Sequence, residues 1–307
     1  MSSTVSPHEA SGGDGSRNPG KLALISRRRS MGTVAVMVPF FAYMTCFLLV
    51  PTVIVVVGAF TGSNGGFSMS NFSHLFEANT VNSFVTSILV SLISALIGAG
   101  VGACASYALV LGAHPDGVLR RIISSLSSVL AQFGGVMLAF AFIATIGING
   151  IVTTLIKTAF DVTVNPNWLS SLSGIVVVYS YFQIPLMIIV FLPAVDAMMP
   201  QWREAAESLG ANTAQYWWRV GLPILMPRFI SATLLLFANA FSAFATAAAL
   251  FSQRSILVPL MIQSAMRNEM DPNQQGTAQV LAFAMIIVVS IVMVISHAIE
   301  RGVGRWQ

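Results

Sequence analysis

The chain has 307 residues and a formal net charge of +4, yet only 8% of it is charged while 55% is apolar. Soluble domains carry about 25% charged residues, and 15 basic with 11 acidic side chains cannot cover the water-facing surface of a chain this long. A soluble enzyme, a disordered chain and a disulfide scaffold are excluded, and an all-α integral membrane protein is expected.

Residues 1–30 are rich in Ser, Gly, Pro and Asp and read as a disordered tail. Inside it, the run from Gly15 to Lys21 has the spacing of a phosphate loop, but Leu22 stands where Ser or Thr is required and no strand precedes it. No ATP site is expected in this chain. Ser26-Arg27-Arg28-Arg29 imitates a twin-arginine export signal, but the apolar run that follows is too long for a signal core and lacks a small-x-small cleavage site. The first helix is therefore expected to be retained.

A helix needs about 20 apolar residues to cross a bilayer core of about 30 Å. Six stretches qualify, at 33–60, 81–111, 122–147, 172–196, 226–250 and 277–298, so residues 31–307 read as one six-helix transmembrane domain. The runs are continuously apolar rather than alternating, which excludes a barrel of strands. Pro51 is expected to bend the first helix, because it removes a backbone hydrogen bond. The second carries Ser83, Ser87, Ser91, Ser94, Gly98, Gly102 and Ser106 at three- and four-residue spacing, a stripe that permits close approach of another helix.

The connections carry structure of their own. Residues 61–80 are polar, with Gly65-Gly66 and the aromatic anchors Phe67, Phe72 and Phe76. Residues 151–160 read as a short helix near the interface, ended by an Asn165-Pro166-Asn167 turn and anchored by Trp168. A further short apolar piece lies around Pro259, and no internal repeat is visible. On the fifth span Asn239, Ser242 and Thr246 fall at i, i+3 and i+7 and share a face, with Phe241 and Phe244 beside it. That face suits either a polar solute route or hydrogen bonds between helices.

Arg and Lys set the orientation. With the N-terminus inside, the cytoplasm collects Arg17, Lys21, Arg27, Arg28, Arg29, Arg120, Arg121, Arg203, Arg219, Arg228, Arg301 and Arg305, against Lys157, Arg254 and Arg267 outside. Both termini are thus expected in the cytoplasm. The basic residues serve topology, and no nucleic acid is expected as a partner.

Catalytic and metal chemistry has few candidates. Cys46 and Cys104 lie in apolar runs without a partner at ligand spacing, and His8, His74, His114 and His297 are scattered. Ser173 and His297 imitate an intramembrane serine protease, but the topology puts them at opposite faces of the membrane. Asp196, at the inner end of the fourth span, is the one ionisable residue near a span core. An ion-coupled carrier, which usually keeps a charge at mid-depth, is disfavoured.

The fourth connection, about 200–223, is polar and reads as a helix–turn–helix along the inner membrane face. Pro200 opens the first helix, Gly210 suits a left-handed cap, Asn212 or Thr213 can cap the second, and Gly221 with Pro223 is expected to stop it. Here Glu204-Ala205-Ala206, three residues, Gly210, nine residues, then Val220-x-Leu222-Pro223 resembles the EAA loop of binding-protein-dependent ABC importer permeases of type I. Val220 stands where that family often has Ile. The resemblance extends over residues 33–300.

It implies the permease subunit of an ATP-driven importer in the bacterial cytoplasmic membrane, itself not an enzyme and without a cofactor. ATP and Mg would be held by a cytoplasmic ATPase present in two copies, which receives the EAA loop. A second permease subunit, expected to be a different chain, and an extracytoplasmic solute-binding protein would complete the assembly. Ser208-Leu209-Gly210-Ala211 is most similar to the polyamine, opine, phosphonate, iron and thiamine group, and a polyamine or related small amine is the expected solute. Phosphonate, iron(III), thiamine and sugar are the alternatives.

Overall fold

The computed structural model describes residues 37–62, 66–112, 114, 117–160, 165, 168–198, 200–251, 257–267 and 272–303. Among them the regular structure is helical, apart from an isolated antiparallel bridge between Thr61 and Phe67. The helices are α1 (Met37–Ala59), α2 (Ala78–Gly112), α3 (Val118–Gln132), α4 (Gly135–Ile146), α5 (Ile151–Phe160) and α6 (Leu172–Asp196). After these come α7 (Pro200–Ser208), α8 (Thr213–Phe241), α9 (Phe244–Leu250), α10 (Val258–Arg267) and α11 (Pro272–Val303). Six stretches are long and apolar enough to cross a bilayer: α1, α2, α4 with α5, α6, α8 and α11. The expected tail, the phosphate-loop imitation and the arginine run lie outside the described residues, as do Pro166 and Asn167.

The chain divides into two compact units, Met1–Ile54 and Val55–Gln307. The described part of the first, residues 37–54, is helix with every side chain exposed. The second holds the packed bundle.

Pro51 and Pro223 are accommodated in the same way. A five-residue π turn, Thr45–Leu49, precedes Val50-Pro51, and another, Trp217–Gly221, precedes Leu222-Pro223. In each, the residue before the proline bonds five back: Val50 N–H to the Thr45 carbonyl, Leu222 N–H to the Trp217 carbonyl. The widened turn makes room for the ring, so the helix continues through each proline. This overturns the expectation that Gly221 and Pro223 stop a helix, since α8 passes through both and runs on to Phe241.

Two of the spans are drawn differently from the sequence expectation. The stretch 122–147 is interrupted at Phe133-Gly134, and Gly135 resumes the chain at φ +70°. The preceding α3 is amphipathic, with Ser and Arg on one side, so the apolar length begins only at Gly135 and continues through the 151–160 helix to Ala159. The stretch 226–250 breaks at Ser242-Ala243. There the Tyr179 hydroxyl donates to the Ala243 carbonyl at 2.6 Å, and α9 starts afresh at Phe244.

The serine and glycine stripe of α2 is buried along its whole length against α6 and its neighbours. A β-carbon on Gly102 would stand 2.5 Å from the Met187 β-carbon and 2.8 Å from the Ile184 carbonyl oxygen. The two backbones are thus in the close contact that small residues allow in lipid. Around this seam Ala95, Ala99, Met187, Phe191, Leu236 and Phe241 form one apolar cluster, and Leu138, Ile175, Tyr179, Phe182 and Leu250 anchor another. At one end Phe60 and Phe72 meet Phe283 edge-on. Asn71 donates to the Thr61 carbonyl there at 3.0 Å, which pins the 61–77 connection. Of the three expected aromatic anchors, Phe67 stacks on Phe60, Phe72 joins the cluster and Phe76 stays exposed.

Candidate coupling loop and membrane path

The 200–223 segment is built by two terminal devices. Helix α7 ends with Gly210 at φ +78°. Gly210 N–H bonds the Glu207 carbonyl at 2.9 Å, and Ala211 N–H bonds the Ala206 carbonyl at 3.0 Å. These two bonds are a Schellman closure, which only a left-handed residue permits. Two residues later Asn212 caps α8: its side chain accepts from Gln215 N–H at 2.8 Å, and the Gln215 side chain accepts from Asn212 N–H at 2.9 Å. The turn between α7 and α8 is therefore hydrogen-bonded from both sides.

Glu204, Ala205 and Gly210 are exposed, Ala206 and Val220 are half-buried, and Leu222 and Pro223 are exposed where the loop enters α8. Arg203 and Glu207 pair at 2.9 Å along α7, which raises the Arg203 pKa through that hydrogen bond and charge. Leu209 at the tip is 88% exposed and Trp218 is 74% exposed, so the segment presents apolar side chains among its charges. At its root Trp217 meets Tyr107 edge-on, beside an apolar cavity of about 680 Å³ that Phe191 and Phe229 also line.

An ion pair ties this end of the bundle together: Arg120 at the start of α3 bonds Asp196 at the end of α6. Sequence reasoning recognised Asp196 but not its partner, because 75 residues separate them. It also missed Gln183, which is fully buried and donates to the Ser94 hydroxyl at 2.8 Å. Its Oε1 has no partner among the described residues. A search for ionisable groups passes over an uncharged amide, although a lone Gln in an apolar span is itself a signal.

The face expected from Asn239, Ser242 and Thr246 is divided by the break after Phe241. Asn239, Ser242 and Phe244 are exposed, and Phe241 and Thr246 are buried. Phe241 stacks on Phe237 in the core. Ser173 sits in the first turn of α6, and His297 lies beside Ala194 near its last. At about 1.5 Å per residue the two are about 30 Å apart, which ends the protease geometry. Among the described residues no group of three metal-ligating side chains is present.

Comparison with known proteins agrees with this architecture. The chain is 24% identical over 249 residues to the spermidine/putrescine transport system permease protein PotB of Haemophilus influenzae, covering 79% of this chain and 85% of that protein. It is 26% identical over 124 residues to the molybdenum transport system permease protein ModB of Mycobacterium tuberculosis, 40% of this chain and 46% of that one. It is 29% identical over 150 residues to the sulfate transport system permease protein CysT of Escherichia coli, 48% and 53%. Its fold matches a chain of a bacterial ABC transporter that imports the acidic polysaccharide alginate, with a TM-score of 0.68 at 14% identity, over 91% of this chain and 98% of that one. Residues 106–305 match the family of binding-protein-dependent transport system inner membrane components. With its six apolar spans, the chain belongs to that family and is the multi-pass permease component of an ABC importer in the bacterial inner membrane.

Proposed function

We propose that the 200–223 segment is the point at which a separate cytoplasmic ATPase, present in two copies and holding ATP and Mg, drives this permease. The observation that carries this reading is mechanical. The Schellman closure and the capping box fix α7 to the first turn of α8, and α8 is continuous from that loop to Phe241. A displacement of α7 is therefore passed along one helical rod to the exposed Asn239. Leu209 at the tip is an apolar knob of the kind that seats in a partner's cleft. The basic residues concentrated at this end favour its cytoplasmic side.

Asn239 and Ser242, with Phe244 beside them, form the polar part of the solute route in this reading, while Phe241 and Thr246 support it from within the core. A second permease subunit, a different chain, supplies the facing wall, and an extracytoplasmic binding protein delivers the solute. The similarity to the spermidine/putrescine permease over most of both chains supports a polyamine or related small amine. The shorter similarities to molybdenum and sulfate permeases favour an oxyanion as the second reading.

The deciding experiment is reconstitution of the permease with its ATPase and binding protein in proteoliposomes. ATP hydrolysis stimulated by spermidine or putrescine, and not by sulfate or molybdate, supports the amine. The reverse pattern selects the oxyanion. Full stimulation after Gly210→Val or Leu209→Asp would overturn the coupling role of the loop.

A further inference from the structure

A second polar cluster lies where α6, α8 and α11 meet at the loop end of the bundle. They enclose a cavity of about 250 Å³. Its floor is a hydroxyl chain: the Ser231 and Ser296 hydroxyls are 2.6 Å apart, and Ser231 donates to Glu300 Oε1 at 2.6 Å. Both serines are more than nine-tenths buried, while Glu300 reaches the surface. Ser231 takes one Glu300 oxygen, and the other makes no hydrogen bond to a described residue. Arg228 and His297 also line the cavity, are exposed, and make no hydrogen bond or ion pair with any described residue. Arg228 is three residues before Ser231 on α8, and His297 three before Glu300 on α11, so each side chain shares a face with the hydroxyl chain.

The opposite wall is apolar and is formed by Val190, Leu235 and Met293, further along the same three spans. The cavity is thus zwitterionic at the helix ends and apolar toward the membrane interior. A small, fully polar solute gains nothing from that wall. A phospholipid has the same division along its length, and the bilayer supplies it at high local concentration.

The charges select among headgroups. The Glu300 carboxylate at the mouth opposes a purely anionic headgroup. A choline carries no N–H to give the other Glu300 oxygen, whereas a primary ammonium does. Arg228 and His297 suit a phosphate. We propose that this cavity holds an aminophospholipid, its ammonium on Glu300, its phosphate between Arg228 and His297, and one acyl chain along Val190, Leu235 and Met293. The bound lipid would join the C-terminal end of α11 to the first turns of α8 beyond the loop.

Native mass spectrometry of the full-length permease in mild detergent tests this, with palmitoyl-oleoyl phosphatidylethanolamine, phosphatidylcholine and phosphatidylglycerol added in turn. The ethanolamine lipid should be retained about tenfold better than either of the others, the equivalent of one charge-assisted hydrogen bond. Glu300→Gln should remove its advantage over the choline lipid, and Arg228→Gln should weaken all three. Glycerophosphoethanolamine, the headgroup without acyl chains, should not compete at millimolar concentration. Equal retention of the three lipids by the unaltered protein overturns the proposal without reference to any variant. Competition by the free headgroup assigns the cavity to a soluble ligand and overturns it as well, and so does an undiminished preference in Glu300→Gln.

Discussion

Gly98 of α2 lies so close to α6 that a β-carbon on it would stand 2.6 Å from the β-carbon of Gln183. Real β-carbons do not approach so closely, and the neighbour is the root of a side chain rather than its flexible end. Gly98→Leu should therefore separate α2 from α6, break the Gln183–Ser94 hydrogen bond and cost about 3 kcal/mol or more. Gly100, on another face of the same helix, has nothing within 4 Å of a built β-carbon. Melting of the two variants in detergent should show a large loss for Gly98→Leu and almost none for Gly100→Leu. Equal melting temperatures would exclude the close packing of this seam.

At Gly210 a built β-carbon meets open space, but φ is +78°. Within this chain a defect of Gly210→Val then comes from backbone conformation, at about 1–2 kcal/mol, and a clash with the ATPase is the alternative that a variant of similar size controls for. The expected result is a complex of normal yield whose solute-stimulated ATP turnover is lost. Gly210→Asn, which tolerates this region, should keep most of it. Turnover measured side by side in the two variants separates conformation from size.

Arg120 is mostly buried in its pair, whereas Asp196 is about one-third exposed. Asp196→Asn leaves the guanidinium without its counter-charge and should destabilise the permease by about 1–3 kcal/mol. The double change Arg120→Leu with Asp196→Leu should cost less than the sum of the single ones. A double-mutant cycle on thermal melting reads the coupling, and strict additivity would mean that the pair contributes nothing.

The fold and the loop differ in what sequence alone reveals. Six spans follow from hydropathy because lipid imposes one solvent on every residue of a helix. The Gly210 turn follows as well, and so does a cap at Asn212 or Thr213, which the structure places at Asn212, because each depends on residues within one turn of itself. The break at Ser242-Ala243 does not, since the Tyr179 hydroxyl that takes the Ala243 carbonyl lies 64 residues away. That break divides the polar face expected from Asn239, Ser242 and Thr246. Likewise Phe133-Gly134 interrupts a stretch that reads as continuously apolar, because α3 turns its serines to one side and such a face is invisible to an average over the window.

Cysteine accessibility follows from the divided face. In a background lacking Cys46 and Cys104, both exposed, a water-soluble thiol reagent should label Asn239→Cys and Ser242→Cys. Thr246→Cys should resist, since Thr246 is 2% exposed. The rates at 239 and 242 should change when ATP hydrolysis is trapped. If neither position reacts in any state, both lie in dry helix contacts and the solute route runs elsewhere.

The π turn before Pro223 also acts as a phase shifter. It is equivalent to one residue inserted into an α-helix, and one residue is about 100° of rotation. Everything beyond Leu222 is thereby rotated relative to Asn212 and Tyr216, so the face that α8 turns toward Gly98 is set independently of the face it turns toward the loop. Deleting a single residue between Trp217 and Gly221 would restore ordinary helical winding and leave Leu236 and Phe237 facing the core, whereas deleting one after Leu222, where no widened turn absorbs the change, would turn both about 100° away from it. A one-residue deletion is therefore tolerated at the widened turn and not in the α-helix that follows it, although both belong to the same span.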